Sequence, residues 1–115
     1  MNKYRNIRTK WNDRVFDSRA EARAAQILDI RKRNGEIVTI EYQPRIELIP
    51  KPNRITYVGD FRVVWANGIE EIIDIKGVET AVFKLKAKLF RHFYPEKRLR
   101  IAKAVDSLLP PCVVM

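Results

Sequence analysis

The sequence predicts a single α/β domain in which helices flank a mixed central sheet. The predicted elements follow one another as helix, three strands, helix and strand, and the last helix makes a crossover. A chain of 115 residues can bury a substantial core but is too short for two independently stable domains. We therefore expect one domain over residues 1–115 and one functional site.

The first helix is predicted from DSRAEARAAQILDIRKRNG, residues 17–35. Ser18 is followed three residues later by Glu21, which is the pattern of a capping box, and Gly35 follows a basic last turn as a stop signal. Helical periodicity places Glu21 at the margin of the apolar arc, so its side chain should point toward the sheet. Two roles stay open for this glutamate: capping partner of Ser18, or ligand at a site on the sheet.

Alternating apolar residues and turn signals predict the three strands that follow. The segment EIVTIEYQPRIELIP, residues 36–50, predicts a strand that is bent at Pro44. Residues 55–65 and 69–76 are predicted to form two antiparallel strands joined around Asn67 and Gly68. These two strands should form one hairpin.

The remaining elements lie toward the two ends of the chain. A small hairpin about Asn12 and Asp13 is predicted before the first helix. The second helix is predicted in ETAVFKLKAKLFRHFY, residues 79–94, and the last strand in LRIAKAV, residues 99–105. The spacing of apolar residues along the second helix predicts a buried stripe of Val82, Leu85, Leu89 and Phe93.

The loop of the predicted hairpin decides whether Asp60 and Asp74 lie on one face of the sheet. A two-residue loop would place Asp60 opposite Ile75, whereas a three-residue loop with Gly68 in the left-handed conformation would place it opposite Asp74. The shorter loop would also set Phe61 against Asp74, while the longer one groups Phe61 with the isoleucines. The sequence therefore predicts the longer loop and two carboxylates that face each other.

Two opposed carboxylates repel each other unless a cation compensates their charge. Arg62 and Lys76 fall on the same predicted face and could do so as an ion-pair cluster. A divalent cation could do so more strongly, because it accepts several oxygen ligands at once. The sequence leaves both solutions open.

Composition narrows the classes of partner and of site. A formal charge of +9, from 23 Lys and Arg against 14 Asp and Glu, favours a polyanionic partner, although it does not separate nucleic acid from an anionic membrane surface. With Cys112 and His92 as the sole cysteine and histidine, one chain cannot assemble a disulfide framework or a Cys/His zinc site. No apolar run is long enough to span a bilayer, so we expect a cytoplasmic protein.

The acidic residues and Lys76 resemble the PD-(D/E)xK nuclease superfamily. Asp60 follows Gly59 where the superfamily often has Pro-Asp, residues 74–76 read Asp-Ile-Lys in place of (D/E)xK, and Glu21 matches the glutamate of the first helix. The segments FDSRAEARAAQIL, EYQPRIELIP and DIKGVETAVFKLKAKLF are similar to small phage-encoded members related to Holliday-junction resolvases. More distantly they are similar to the endonuclease subunit of heteromeric transposases. The resemblance covers most of the chain.

The resemblance implies a PD-(D/E)xK core of order αβββαβ and a metal-dependent endonuclease that hydrolyses the phosphodiester bonds of DNA. It implies a structure-selective or nicking enzyme of phage or mobile-element DNA processing, acting in the host cytoplasm. It also implies a Mg2+ ion, replaceable by Mn2+, held by Glu21, Asp60, Asp74 and the backbone carbonyl of Ile75. Lys76 would complete the catalytic set by orienting the attacking water or offsetting charge. A non-catalytic basic DNA-binding module on the same fold is the alternative.

Basic residues outside the acidic set are candidates for DNA contact. On the second helix these are Lys84, Lys86, Lys88 and Arg91, with a merely solvated basic face as the alternative. Residues 1–10 are predicted to be a flexible basic arm whose DNA contacts are Lys3, Arg5, Arg8 and Lys10. Residues 106–115 are assigned to a C-terminal tail. A symmetric homodimer would supply the second site that paired cuts require.

Overall fold

The computed structural model describes residues 8–103 and 106–111. These residues form an α/β fold with a mixed sheet and two helices, as the sequence predicts. In chain order the elements are β1 (Thr9–Trp11), β2 (Arg14–Phe16), α1 (Arg19–Arg33), β3 (Ile37–Tyr42), β4 (Arg45–Ile49), β5 (Ile55–Val58), β6 (Phe61–Trp65), β7 (Glu70–Ile75), α2 (Ala81–Phe93) and β8 (Arg98–Ala102). Neither helix in this described part is long and apolar enough to cross a membrane.

The central sheet contains four strands in the order β3–β6–β7–β8. Strand β6 pairs with β3 and β7 in antiparallel directions, whereas β7 and β8 are parallel and are connected by α2. The predicted bend at Pro44 separates β3 from β4, and β4 pairs with β5 in a separate two-stranded sheet. The single strand predicted over residues 55–65 is wrong, because the chain leaves the strand conformation at Gly59 and Asp60.

Backbone hydrogen bonds join the bend at Pro44 to the break at Gly59 and Asp60. The Gly59 N–H donates a hydrogen bond to the Pro44 carbonyl at 3.1 Å, and the Gln43 N–H donates one to the Asp60 carbonyl at 2.9 Å. A Cβ atom at Gly59 would lie 2.7 Å from Cγ2 of Ile72, so only glycine allows this approach. Proline, which the resembled superfamily often has here, would also lack the N–H donor. These contacts fix Asp60 at the start of β6.

The β6–β7 hairpin has the predicted three-residue loop. Phe61 pairs with Ile73, and Gly68 adopts the left-handed conformation with a φ of 90°. Continuing this register by one residue places Asp60 opposite Asp74. The predicted register is therefore confirmed.

Helix α1 also begins and ends as predicted. The Ser18 hydroxyl accepts a hydrogen bond from the Glu21 N–H at 3.1 Å, and the helix is closed by Asn34 and a left-handed Gly35. Upstream, β1 and β2 form the predicted hairpin, and the loop residues between these strands have φ values of 52° and 61° at Asn12 and Asp13.

One face of the central sheet packs against α1, the β1–β2 hairpin and the C-terminal segment. The core on this face includes Ala25, Leu28, Phe61, Ile73 and Leu108. Leu108 is 2% exposed, so the described part of the predicted C-terminal tail belongs to the packed domain. The carbonyl of Pro111 accepts a hydrogen bond from the Asn67 side chain at 2.9 Å, which fastens this segment to the hairpin loop.

The buried face of α2 differs from the predicted one. Phe83, Ala87 and Phe90 are buried, and both phenylalanine rings have their centroids about 6 Å from that of Tyr57 on β5. The stripe predicted to be buried lies largely on the surface, with exposed fractions of 64, 56 and 49% for Val82, Leu85 and Phe93. Two apolar stripes run along this helix, and the aromatic partner on β5 selects which one is buried.

Candidate active site

Asp60 is held at the junction of the two antiparallel strands. Its Oδ2 atom accepts a hydrogen bond from the Ile75 N–H at 2.8 Å, which ties the carboxylate to the end of β7. Burial raises the pKa of the Asp60 carboxyl, and the Ile75 hydrogen bond and the Lys76 charge oppose this rise. The side chain is thus oriented while its second oxygen remains available.

Asp74 is a buried carboxylate without a hydrogen-bond partner. It is 1% exposed, and neither of its oxygens is hydrogen-bonded within the described part of the chain. The Lys76 Nζ atom lies 3.6 Å from Oδ1, which is an ion-pair distance but too long for a hydrogen bond. Burial raises the Asp74 pKa to about 6 in spite of this lysine. Such an unsatisfied buried acid calls for a functional explanation.

Glu21 contributes a third acidic side chain from α1. Only half of the predicted capping box forms among the described residues, because no hydrogen bond from the Ser18 N–H returns to the Glu21 carboxylate. Burial, together with the negative charges of Asp60, Asp17 and Asp74, raises the Glu21 pKa to about 7 against the opposing charge of Lys76. The Glu21 carboxylate therefore lies in the electric field of both strand aspartates.

A cleft of about 240 Å3 opens beside Glu21 and Asp60, and Asp74 is not among its lining residues. It is lined by seven residues, namely Arg14, Val15, Phe16, Glu21, Tyr42, Gln43 and Asp60. The guanidinium carbon of Arg14 lies 3.9 Å from the centre of the Tyr42 ring. Neither of these two residues was a candidate in the sequence. The sequence indicates the hairpin that carries Arg14 but not its packing beside β3.

Lys76 is the cation that the structure places beside the aspartates. Its ammonium also lies 4.6 Å from the centre of the Phe83 ring, at the start of α2. Arg62, the other compensating cation considered, instead pairs with Glu70 at 3.0 Å and with Glu41 at 3.4 Å. Lys76 alone of the two remains as the local counter-charge, and it does not satisfy both oxygens of Asp74.

A second buried acid on β7 escaped the sequence reasoning. Glu71 is 1% exposed, but it accepts two hydrogen bonds from Arg100 and one from Trp65, each at 2.9 Å. It points to the opposite sheet face from Asp74, because the side chains of a strand alternate. Glu71 is a satisfied structural acid, and the contrast shows how unusual the environment of Asp74 is.

The acidic side chains of this site are candidate ligands for a metal ion. As the side chains stand, no group of three or more Asp, Glu, His or Cys residues in the described ranges could hold a metal ion. The chemistry of the donors nevertheless suits a hard cation, since both oxygens of Asp74 are unpartnered within the described residues and the Asp60 carboxylate is hydrogen-bonded to the next residue of β7, Ile75. The residues therefore fit such an ion in donor type, although in this arrangement they do not enclose one.

The predicted DNA-contact residues have different positions. Lys84, Lys88 and Arg91 are exposed on α2, which begins after Thr80, and Lys86 is half-buried. Arg8 and Lys10 are exposed, but Lys10 belongs to β1, so the hairpin begins within the predicted arm. Lys3, Arg5 and Cys112 lie outside the described residues.

Comparison with known proteins gives a family but no activity. No curated protein and no solved structure matches the chain. Residues 1–107 match the family described as "Protein of unknown function (DUF1064)". Because this match covers most of the sequence, the chain belongs to the DUF1064 family.

Proposed function

We propose that this protein is a metal-dependent DNA endonuclease with a PD-(D/E)xK core. The observation that carries the proposal is the buried, unpartnered Asp74 opposite Asp60, with Lys76 beside it. The order α1, β3, β6, β7, α2 and β8 around the central sheet supports the proposed αβββαβ core. The sequence resemblance described above supports the same assignment.

Mg2+, or Mn2+ in its place, would be held by Asp60, Asp74 and the backbone carbonyl of Ile75, and by Glu21 directly or through water. When bound, such an ion polarises the scissile phosphate and stabilises the charge that develops on it. The protein supplies orientation, since the Ile75 N–H fixes one oxygen of Asp60. It also supplies a dry environment at Asp74, where each electrostatic interaction is stronger than in water.

Lys76 is the proposed catalytic cation. Its ammonium is confined between the Asp74 carboxylate and the Phe83 ring, so it is preorganised close to the acids. From this place it can donate a hydrogen bond to the attacking water or to a phosphate oxygen as negative charge develops. These roles require an ammonium, which is why its removal is the sharpest test of catalysis.

The proposed substrate is branched or nickable DNA of a phage or mobile element, of the kind that Holliday-junction resolvases process. The charge of +9 and the exposed Lys84, Lys88 and Arg91 favour a polyanion. Cleavage of a four-way junction needs two cuts, and a symmetric homodimer would provide the second site.

The test incubates the protein with supercoiled plasmid, linear duplex and a four-way junction, each with Mg2+, Mn2+ or a chelator. We expect cleavage only with metal, and none by Lys76→Ala even though circular dichroism shows a retained fold. Lys32→Ala, which removes an exposed lysine at the end of α1, is the matched control and should cut normally. Full activity of Lys76→Ala, or cleavage in chelator, would contradict the mechanism.

A non-catalytic DNA-binding module on the same fold is the second candidate. One observation favours it, namely that the acids of the described residues do not enclose a metal position. A binding module has no evident need for an unpartnered buried acid, so we rank it second. Binding without cutting on every DNA, with either metal, would establish it.

A further inference from the structure

We infer that Arg14 is a phosphate-binding residue that admits the DNA backbone to the acidic cleft. The inference rests on the proposed function and adds a substrate contact that lies outside the acidic set. Arg14 is the first residue of β2, and its side chain lines the cleft together with Glu21 and Asp60.

The cleft needs a cation if a phosphodiester is to enter it. Glu21 and Asp60 both line its wall, and carboxylates repel an approaching phosphate. Lys76 does not line this cleft. Among the seven lining residues Arg14 is the one with a cationic side chain, so it is the group that can offset this repulsion.

The guanidinium of Arg14 is held by an aromatic stack. It lies 3.9 Å from the centre of the Tyr42 ring, a distance at which cation–π attraction and planar stacking both operate. Tyr42 itself packs between Phe16 and Phe61, with ring centroids 6.1 and 5.8 Å away. Because Phe61 directly follows Asp60, the same stack positions both the cation and the acid. This preorganisation lowers the entropy cost of binding a ligand.

Within the described part of the chain, the hydrogen-bond donors of Arg14 have no protein partner. No salt bridge among the described residues involves Arg14, and its side chain is exposed. By contrast, Arg31, Arg62 and Arg100 are each paired with a glutamate. A guanidinium that stacks on a ring and keeps its donors free can bind two oxygens of one phosphate.

The test measures DNA binding in chelator at several salt concentrations, and cleavage with Mg2+ in parallel. We expect Arg14→Ala to weaken binding about tenfold and to lower the salt slope by about one. Arg14→Lys should restore the slope but only part of the affinity, because lysine lacks the planar fork. In the cleavage assay the loss should appear in KM more than in kcat.

Arg23→Ala is the matched control, since Arg23 is an exposed arginine of α1 that does not line the cleft. It should change affinity far less than Arg14→Ala. Equal affinities and salt slopes for the two variants would overturn the inference, as would a loss in Arg14→Ala that tracks a lower melting temperature. Failure of the proposed function would look different, because wild-type protein would then bind DNA without cutting it and Arg14 could still be scored in the binding assay.

Discussion

Asp74→Asn should make the metal-free protein more stable while it abolishes DNA cleavage. The wild-type carboxylate is buried, and residues 8–103 and 106–111 give it no hydrogen-bond partner, so its ionised form is disfavoured in the folded state. Asparagine has nearly the same shape and carries no charge. The substitution therefore removes the electrostatic cost of the site and, on the proposed function, a metal ligand at the same time.

The size of the expected gain in stability follows from the pKa of Asp74. A rise from 3.8 to about 6 corresponds to about 3 kcal/mol of folding free energy above pH 6. The buried asparagine amide would also lack partners, and this cost offsets about 1 to 2 kcal/mol of the gain. We therefore expect Asp74→Asn to be more stable than wild type by about 1 to 2 kcal/mol at about pH 8 in chelator.

The pH dependence has a defined sign. Because the folded-state pKa is raised, the folded protein binds the proton more tightly than the unfolded chain does. The contribution of Asp74 to the stability of the metal-free wild type should thus be most favourable below about pH 4, and it should fall as the pH rises to about 6. Glu21, with a pKa of about 7, should extend the fall to near neutral pH. In Asp74→Asn the fall between about pH 4 and pH 6 should be smaller, because only the Glu21 contribution remains there.

Urea unfolding in chelator, followed by circular dichroism across this pH range, measures these differences. Glu71→Gln is the matched control, because Glu71 is equally buried on the same strand but is paired with Arg100 and Trp65. It should destabilise the protein by about 3 kcal/mol. Added Mg2+ should raise the melting temperature of wild type more than that of Asp74→Asn. An Asp74→Asn protein less stable than wild type in chelator would refute the reasoning.

Four further substitutions test other parts of the structure. Lys84→Ala should weaken DNA binding and lower its salt slope by about one in a filter-binding titration, and an unchanged slope would remove this residue from the interface. Phe90→Ala should cost about 3 to 5 kcal/mol in urea unfolding whereas Leu85→Ala should cost about 0.5 kcal/mol or less, and the reverse order would mean that the predicted stripe is the buried one. Gly59→Ala should lower the unfolding free energy by about 1 to 3 kcal/mol, because its Cβ would lie 2.7 Å from Ile72; wild-type stability would show that this close approach does not exist.

The opposition of Asp60 and Asp74 could be predicted because its determinants are local. The alternation of apolar residues fixes which register buries Phe61, and Gly68 supplies the left-handed residue that the longer loop requires. The limits of α1 could be predicted for the same reason, since Ser18 caps the helix three residues before Glu21. Each of these signals involves residues that are near one another in the chain.

The wrong predictions concern contacts between distant segments. The second helix carries two apolar stripes, and the buried one is chosen by Tyr57 of β5, which packs against Phe90. The break at Gly59 depends on hydrogen bonds to the bend at Pro44 and on the side chain of Ile72. The spacing of apolar residues within one of these segments carries no information about the segment that it contacts.

By itself, then, the sequence determined the α/β class, the hairpin register and the pairing of Asp60 with Asp74, because backbone conformation and side-chain alternation are encoded over a few neighbouring residues. Only the tertiary structure decided that Asp74 has no hydrogen-bond partner among the described residues and that the Arg14 guanidinium lies over the Tyr42 ring in the cleft that Asp60 also lines. Burial and partnership depend on surfaces contributed by segments far apart in the chain, and the order of residues along one segment does not specify them.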